Sequence, residues 1–359
     1  MAHARQKIIV VGSGIIGAAA AFELQSQGAD VLVISGAAAR ATDASFGWVN
    51  ASFFENPKYF ALRVEGIKAF SHLRARVDLP SMWHGSLCWE HTGAAFDEQV
   101  RTLSEQGYPC KVLGKADVQR LEPNLGAPPE RAIHFQSEGV VEPAASADAL
   151  LNAAVALGAK VAQGFTVTGF HRQGSKICGV QTREGVFAAD QVLVAAGTGT
   201  QALLQQVDVN LPMLHRPALV LRTKPVSFTL SHVLVTDFGE VRQLPDGALI
   251  TPAAIGHQAD AATELTEPPQ QAAERSMTRL RALFPEENLE LASMQLAQRP
   301  VPEDGFPAVG AVMPGLYAAT MHSGMTLAAL MGDLIAREML NGVSNSTNQW
   351  LGAFRPDRF

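Results

Sequence analysis

The stretch from Ile8 to Ser35, IIVVGSGIIGAAAAFELQSQGADVLVIS, constrains this chain more than any other. Ile8–Val11 is an unbroken β-branched run, the pattern of a strand buried on both faces. Residues 14–27 read as a helix with Ala18–Ala21, Phe22 and Leu24 available for packing, and Gly28 suits its end. Val31–Ile34 reads as a second buried strand. Strand, glycine turn, helix and strand in this order form one βαβ unit. Gly12 permits the tight turn, Gly14 lets a pyrophosphate approach the backbone, and Gly17 lets helix and strand pack closely. The backbone of Ile15 and Ile16 then offers N–H groups at the positive end of the helix. A dinucleotide is the expected ligand, although a chain with 31 glycines could match GxGxxG by chance, as a bare glycine turn in an α/β core.

The second strand ends in Ser35, where such sites commonly carry an acid for the adenosine ribose. Serine can still bond one hydroxyl, without charge. Arg40 raises the alternative of a 2′-phosphate, and an ordinary loop arginine is its plainer reading.

Bulk properties narrow the class. At 359 residues, two domains or one large one are expected. With 47% hydrophobic and 17% charged residues the chain can build a core, and a net charge of -6 argues against nucleic acid as a partner. Cys88, Cys110 and Cys178 are far apart in sequence, so they form neither a redox pair nor a zinc motif and are expected to pack as small apolar groups. No signal peptide and no stretch of roughly 18 apolar residues is present, so no membrane span and a cytoplasmic location are expected.

Three later segments belong together, two of them strands that meet a small-residue turn. Gln191–Val194 runs into Ala195-Ala196-Gly197-Thr198-Gly199. It follows a helix near 144–157, opened by Pro143 and closed by Gly158, and β-like runs at 161–170 and 177–182. Gln298-Arg299-Pro300 fixes an arginine before a proline-held turn, from which a guanidinium can grip a carboxylate through two parallel bonds. Leu316–Thr320 leads through Met321-His322-Ser323-Gly324-Met325-Thr326 into a helix burying Leu327, Leu330, Met331, Leu334 and Ile335, with Asn341-Gly342 as its end. Runs at 213–222 and 233–250 look like strands, with Asp246-Gly247 as a turn, and 270–283 reads as an amphipathic helix.

Together with Ala41–Ala51 (ATDASFGWVNA), Glu138–Pro143 (EGVVEP) and Asp304–Pro307 (DGFP), these segments resemble the FAD-dependent amine and amino-acid oxidases, the family of D-amino-acid, glycine and sarcosine oxidases. The resemblance covers nearly the whole chain. It implies an α/β fold, α+β in the substrate part: a discontinuous Rossmann-like FAD-binding domain at 1–50, 140–208 and 300–359, and a mostly antiparallel-sheet substrate domain at 51–139 and 209–299. It implies non-covalent FAD, since no cysteine stands in Met321–Met325 to anchor a flavin. FAD contacts are expected from Gly12, Gly14, Ile15, Ile16, Gly17, Ser35, Thr42, Ser45, Gly47, Trp48, Val167, Ala195, Ala196, Gly197, Gly310, His322, Ser323, Gly324, Met325 and Thr326. Arg299 is expected to hold the substrate carboxylate and His322 to lie beside the flavin; both are the catalytic candidates. Arg242, Gln243 and Trp48 are expected at the substrate pocket. His84, His134 and His257 are expected to be structural or exposed.

The activity implied is oxidation of the C–N bond of a small amino acid or N-substituted glycine. The resulting imine hydrolyses to an oxo acid, or to an aldehyde plus amine, and oxygen is reduced to hydrogen peroxide. A dehydrogenase that passes electrons to a quinone or partner subunit, a flavin subunit without turnover, and an NAD(P)-linked enzyme are the alternatives. The sequence leaves the amine and the oligomeric state open.

Overall fold

In the computed structural model, which describes residues 5–253, 263–265 and 267–359, the opening motif folds as strand β1 (Lys7–Val11), helix α1 (Ile15–Ser26) and strand β2 (Asp30–Ser35). β1 lies at the middle of a six-stranded sheet. The order is 308–313, 316–320, 191–194, β1, β2, 160–163, parallel except for the 308–313/316–320 pair. Successive side chains of β1 go to opposite faces. Ile8 and Val10 pack with α1 and the helices Pro143–Ala156 and Gly324–Asn341, while Ile9 and Val11 pack with the 167–188 meander. Burial on both faces explains the unbroken apolar run. β1 connects outward to β2 on one side, and its other neighbour is the late strand 191–194. This is a topological switch point, where open α/β sheets take ligands at the carboxyl ends of their strands.

The second large sheet has eight strands: 291–298, 217–225, 248–252, 239–243, 233–236, 86–88, 131–135 and 111–114. All neighbours are antiparallel except 86–88 with 233–236. The expected strands at 233–250 number three, divided by the expected turn at Asp246-Gly247 and by a further one at Asp237-Phe238. The amphipathic helix falls at Pro269–Leu283. Helix α2 (Pro57–Arg74) was not foreseen; it packs against the Gly324–Asn341 helix, and Gly66 lies so close that a Cβ there would meet Thr326 O at 2.6 Å. Its start was readable: Asn56 accepts a bond from Tyr59 N at 2.8 Å, and Pro57 stands at the first helical position. His257 lies outside the described residues. Among the described residues no helix is long and apolar enough to cross a membrane.

Candidate active site

A cleft of about 730 Å³ runs from the carboxyl end of β2 to the N-terminus of the Gly324–Asn341 helix. At its first end the glycine turn behaves as its spacing requires. Gly12 has φ +112°, and a Cβ there would sit 2.3 Å from Ala195 O. A Cβ on Gly17 would sit 2.1 Å from Gly12 O, so this glycine serves packing and does not line the cleft. The N-cap of α1 is Gly14, with no side-chain cap and no acid in the first turn. Thr42 Oγ1 accepts from Ile15 N at 3.0 Å; Ile16 lines the cleft as well, and the first turn carries no acid to compete for its N–H groups. Gly17→Ala should therefore push the glycine turn off its position, and the purified variant should carry substantially less FAD per chain than wild type, read as the ratio of flavin to protein absorbance.

The residues lining this end from Ile34 to Thr42 include no carboxylate, so none within that segment replaces the missing acid at Ser35. Arg40 is committed elsewhere. It pairs with Asp43 at 2.7 Å and Asp148 at 2.8 Å and donates to Ser13 O at 3.1 Å, tying the glycine turn to the Pro143–Ala156 helix. That engagement removes the reason to read it as a 2′-phosphate ligand.

The middle of the cleft is lined by Ser45–Trp48, Val167 and Ala195–Gly197, while Asn50 lines it beside the start of the Gly324–Asn341 helix. Gly47 has φ +83°, and a Cβ would lie 2.3 Å from Val141 O. At the far end the Gly324–Asn341 helix points its N-terminus into the cleft, again with no side-chain cap and no acid in its first turn. Tyr59 OH donates to Ser323 Oγ at 2.6 Å, and Thr326 Oγ1 accepts from Asn50 N at 3.2 Å, so α2 and the Trp48–Asn50 segment hold this helix start. Arg299 and His322 line the same end. Arg299 Nη1 approaches His322 Nε2 to 3.5 Å, and a guanidinium can only donate, so Nε2 faces it as an acceptor.

Besides Gly17, three expected site residues lie elsewhere. Arg242 is fully buried away from the cleft. It donates to Phe46 O at 2.6 Å and to Glu142 at 2.6 Å, and so braces the Phe46-Gly47 segment from behind. Gln243 accepts from Leu230 N at 2.9 Å and donates to Phe228 O and Gly247 O, bracing two turns beside a second hollow. On their strand it is Glu240 that reaches the cleft. Gly310 is glycine for another reason: a Cβ would meet Pro356 Cδ at 2.9 Å, where the C-terminal tail crosses its strand. The other expected cofactor residues, Gly17 apart, all line the cleft.

Sequence reasoning missed Asn50, Arg63 and Glu240, which also line the cleft, and Glu138 behind it. His84 and His134 stand away from the cleft. The His134 ring lies 5.3 Å from that of His232 and its pKa is pushed down chiefly by burial. Cys88 is buried, which pushes its thiol up to about 12 and leaves it unreactive.

A family model described as FAD dependent oxidoreductase matches residues 7–338. The chain belongs to that family. A curated relative, the D-amino acid dehydrogenase of Rhizobium rhizogenes (strain K84), is 27% identical over 256 residues, 67% of this chain. The match spans only 60% of that relative's length. The D-amino acid dehydrogenase of Rhizobium johnstonii is 24% identical, over 92% of this chain and 95% of its own. Among solved structures, L-proline dehydrogenase from P. horikoshii superposes with a TM-score of 0.84 at 19% identity, covering 99% of this chain and 98% of that one. Glycine oxidase from Geobacillus kaustophilus gives 0.83 at 21%, covering 99% of both. At these identities the structural matches speak for the fold, which is that of the FAD-dependent oxidoreductases.

The cleft fits this cofactor. Two uncapped helix starts open into it, and the glycine turn leaves the backbone bare where a pyrophosphate would lie.

Proposed function

We propose that this flavoenzyme oxidises the C–N bond of a small amino acid or N-substituted glycine. The observation that carries the reading is Arg299, a guanidinium held beside His322 at the end of the cleft opposite the glycine turn. Bound FAD supplies the hydride acceptor. The protein's part is to grip the substrate carboxylate with Arg299 and to present the N–H groups of Met325 and Thr326, in the first turn of the Gly324–Asn341 helix, to the ring, whose negative charge grows on reduction. The division into an FAD part (1–50, 140–208, 300–359) and a substrate part (51–139, 209–299) belongs to the same proposal; the six-stranded and eight-stranded sheets fall on either side of it.

Oxygen is the proposed acceptor, with hydrogen peroxide as product. The names of the curated relatives support the second reading, a dehydrogenase that passes electrons to another acceptor. One anaerobic experiment tests both. D-amino acids, L-proline analogues, glycine, sarcosine and other N-substituted glycines are added singly to the purified yellow protein. Bleaching of the flavin by one of them is the expected result, and readmitted air then restores the colour quickly for an oxidase and slowly for a dehydrogenase. A flavin that none of them bleaches refutes the substrate class.

A further inference from the structure

Arg63 is a cation in an unusual place. It is 3% exposed, on α2, and lines the cleft. Its hydrogen-bond partners are carbonyl oxygens: Nε donates to Asn50 O at 3.2 Å, Nη1 to Phe53 O at 3.1 Å and Nη2 to Asn50 Oδ1, and the guanidinium carbon also lies 5.6 Å from the centroid of the Tyr59 ring. Among the described residues no carboxylate pairs with it. Burying a guanidinium without a counter-anion is costly, and a cleft that does so favours an occupant with negative charge nearby.

The same contact settles the orientation of Asn50. A guanidinium has only donors, so the side-chain atom facing Arg63 must be the amide oxygen. The backbone of Asn50 is also engaged, its N–H and C=O both meeting Thr326 Oγ1. The amide nitrogen makes no hydrogen bond to any described residue, and Asn50 lines the cleft beside the first turn of the Gly324–Asn341 helix. The Arg63 charge polarises the amide and strengthens its N–H groups as donors.

With the phosphates at the α1 N-terminus and the adenosine toward Ser35, the flavin ring falls at the end of the cleft that Asn50 borders. We infer that Asn50, locked by Arg63, donates a hydrogen bond to a carbonyl of the flavin's pyrimidine ring, and that this pair favours the reduced, more negatively charged flavin. Asn50 is then a cofactor-contacting residue and Arg63 a positioning residue. The inference rests on the ring placement proposed above and not on the identity of the substrate.

The test is the flavin midpoint potential of the purified holoprotein, measured without substrate by equilibration against reference dyes. Asn50→Asp keeps the size and leaves Arg63 a partner, but it offers the ring an acceptor and neutralises the buried charge. The preference for reduced flavin should fall at least tenfold, which is about 30 mV or more for a two-electron couple. Arg63→Lys, which keeps the charge and loses the fork, should fall in the same direction by less, and it carries the test should Asn50→Asp fail to fold. Unchanged potentials in flavin-loaded variants overturn the inference. So does an unchanged potential combined with weaker binding of acetate, read from the flavin spectrum, because the amide would then serve the substrate carboxylate. Loss of amino-acid turnover with the potential shifted as expected leaves the inference standing even where the proposed substrate class fails.

Discussion

Arg299→Ala is expected to retain FAD and to raise the KM for the amino-acid substrate by roughly 10–150-fold. Arg299 stands on a backbone fixed by its own N–H, which donates to Arg216 O at 2.9 Å, and by Pro300 behind it. Its loss therefore removes a charge and leaves the cleft wall in place. A charge-assisted hydrogen bond contributes about 1.5–3 kcal/mol, which converts to the range above. Arg299→Lys should recover only part of the effect, because an ammonium cannot make two parallel bonds to a carboxylate. Steady-state kinetics with the substrate found by anaerobic bleaching would decide it. Wild-type KM in Arg299→Ala would show that the carboxylate is held elsewhere, with Arg63 the next guanidinium on the cleft wall.

The part of the site that sequence made legible is the part set by local rules. Gly12, Gly14 and Gly17 each answer a steric demand from the immediate surroundings, and the helix after Gly324 announces itself by its period. Arg299 stood out because a proline follows it, and the fold places it on the cleft wall beside His322; its grip on a carboxylate stays a proposal. Arg242 and Gln243 went wrong because strand register, which no short window contains, decides which of Glu240, Arg242 and Gln243 faces the cleft. Arg63 was hidden differently: an arginine inside a helix reads as a solvated residue, and only the packing of α2 on the Gly324–Asn341 helix buries it. Glu138 is the extreme case. In sequence it is an acid in a turn before a glycine; in the fold it is completely buried and bonded by residues from three separate segments.

That carboxylate should reveal itself through pH. Oε1 of Glu138 accepts from Tyr108 OH at 2.8 Å, Ser52 N at 3.1 Å and Ala51 N at 3.2 Å, and Oε2 from Ser86 Oγ at 2.6 Å. It thereby fixes the turn that follows Asn50. Burial pushes its pKa above the ordinary carboxylate range, and the four donors only partly offset this. A group whose pKa is raised by folding stabilises the fold below its unfolded pKa of about 4.3, and that contribution is lost as pH rises through the folded value. The loss proceeds at up to about 1.4 kcal/mol per pH unit in that window. Glu138→Gln does not titrate. Its amide oxygen can take the three Oε1 donors while its NH₂ turns to Ser86 Oγ, which can accept. The stability advantage of wild type over Glu138→Gln should therefore shrink as denaturation is measured from pH 5 toward pH 8, and an advantage that is constant or grows would refute the raised pKa. Glu138→Ala is the harsher change. It orphans four buried donors, at about 1–3 kcal/mol each if water does not replace the carboxylate, so a loss of at least roughly 4 kcal/mol is expected. Because Ala51 and Ser52 are released with it, the same variant should bind FAD more weakly, which a hole left in a remote core would not cause.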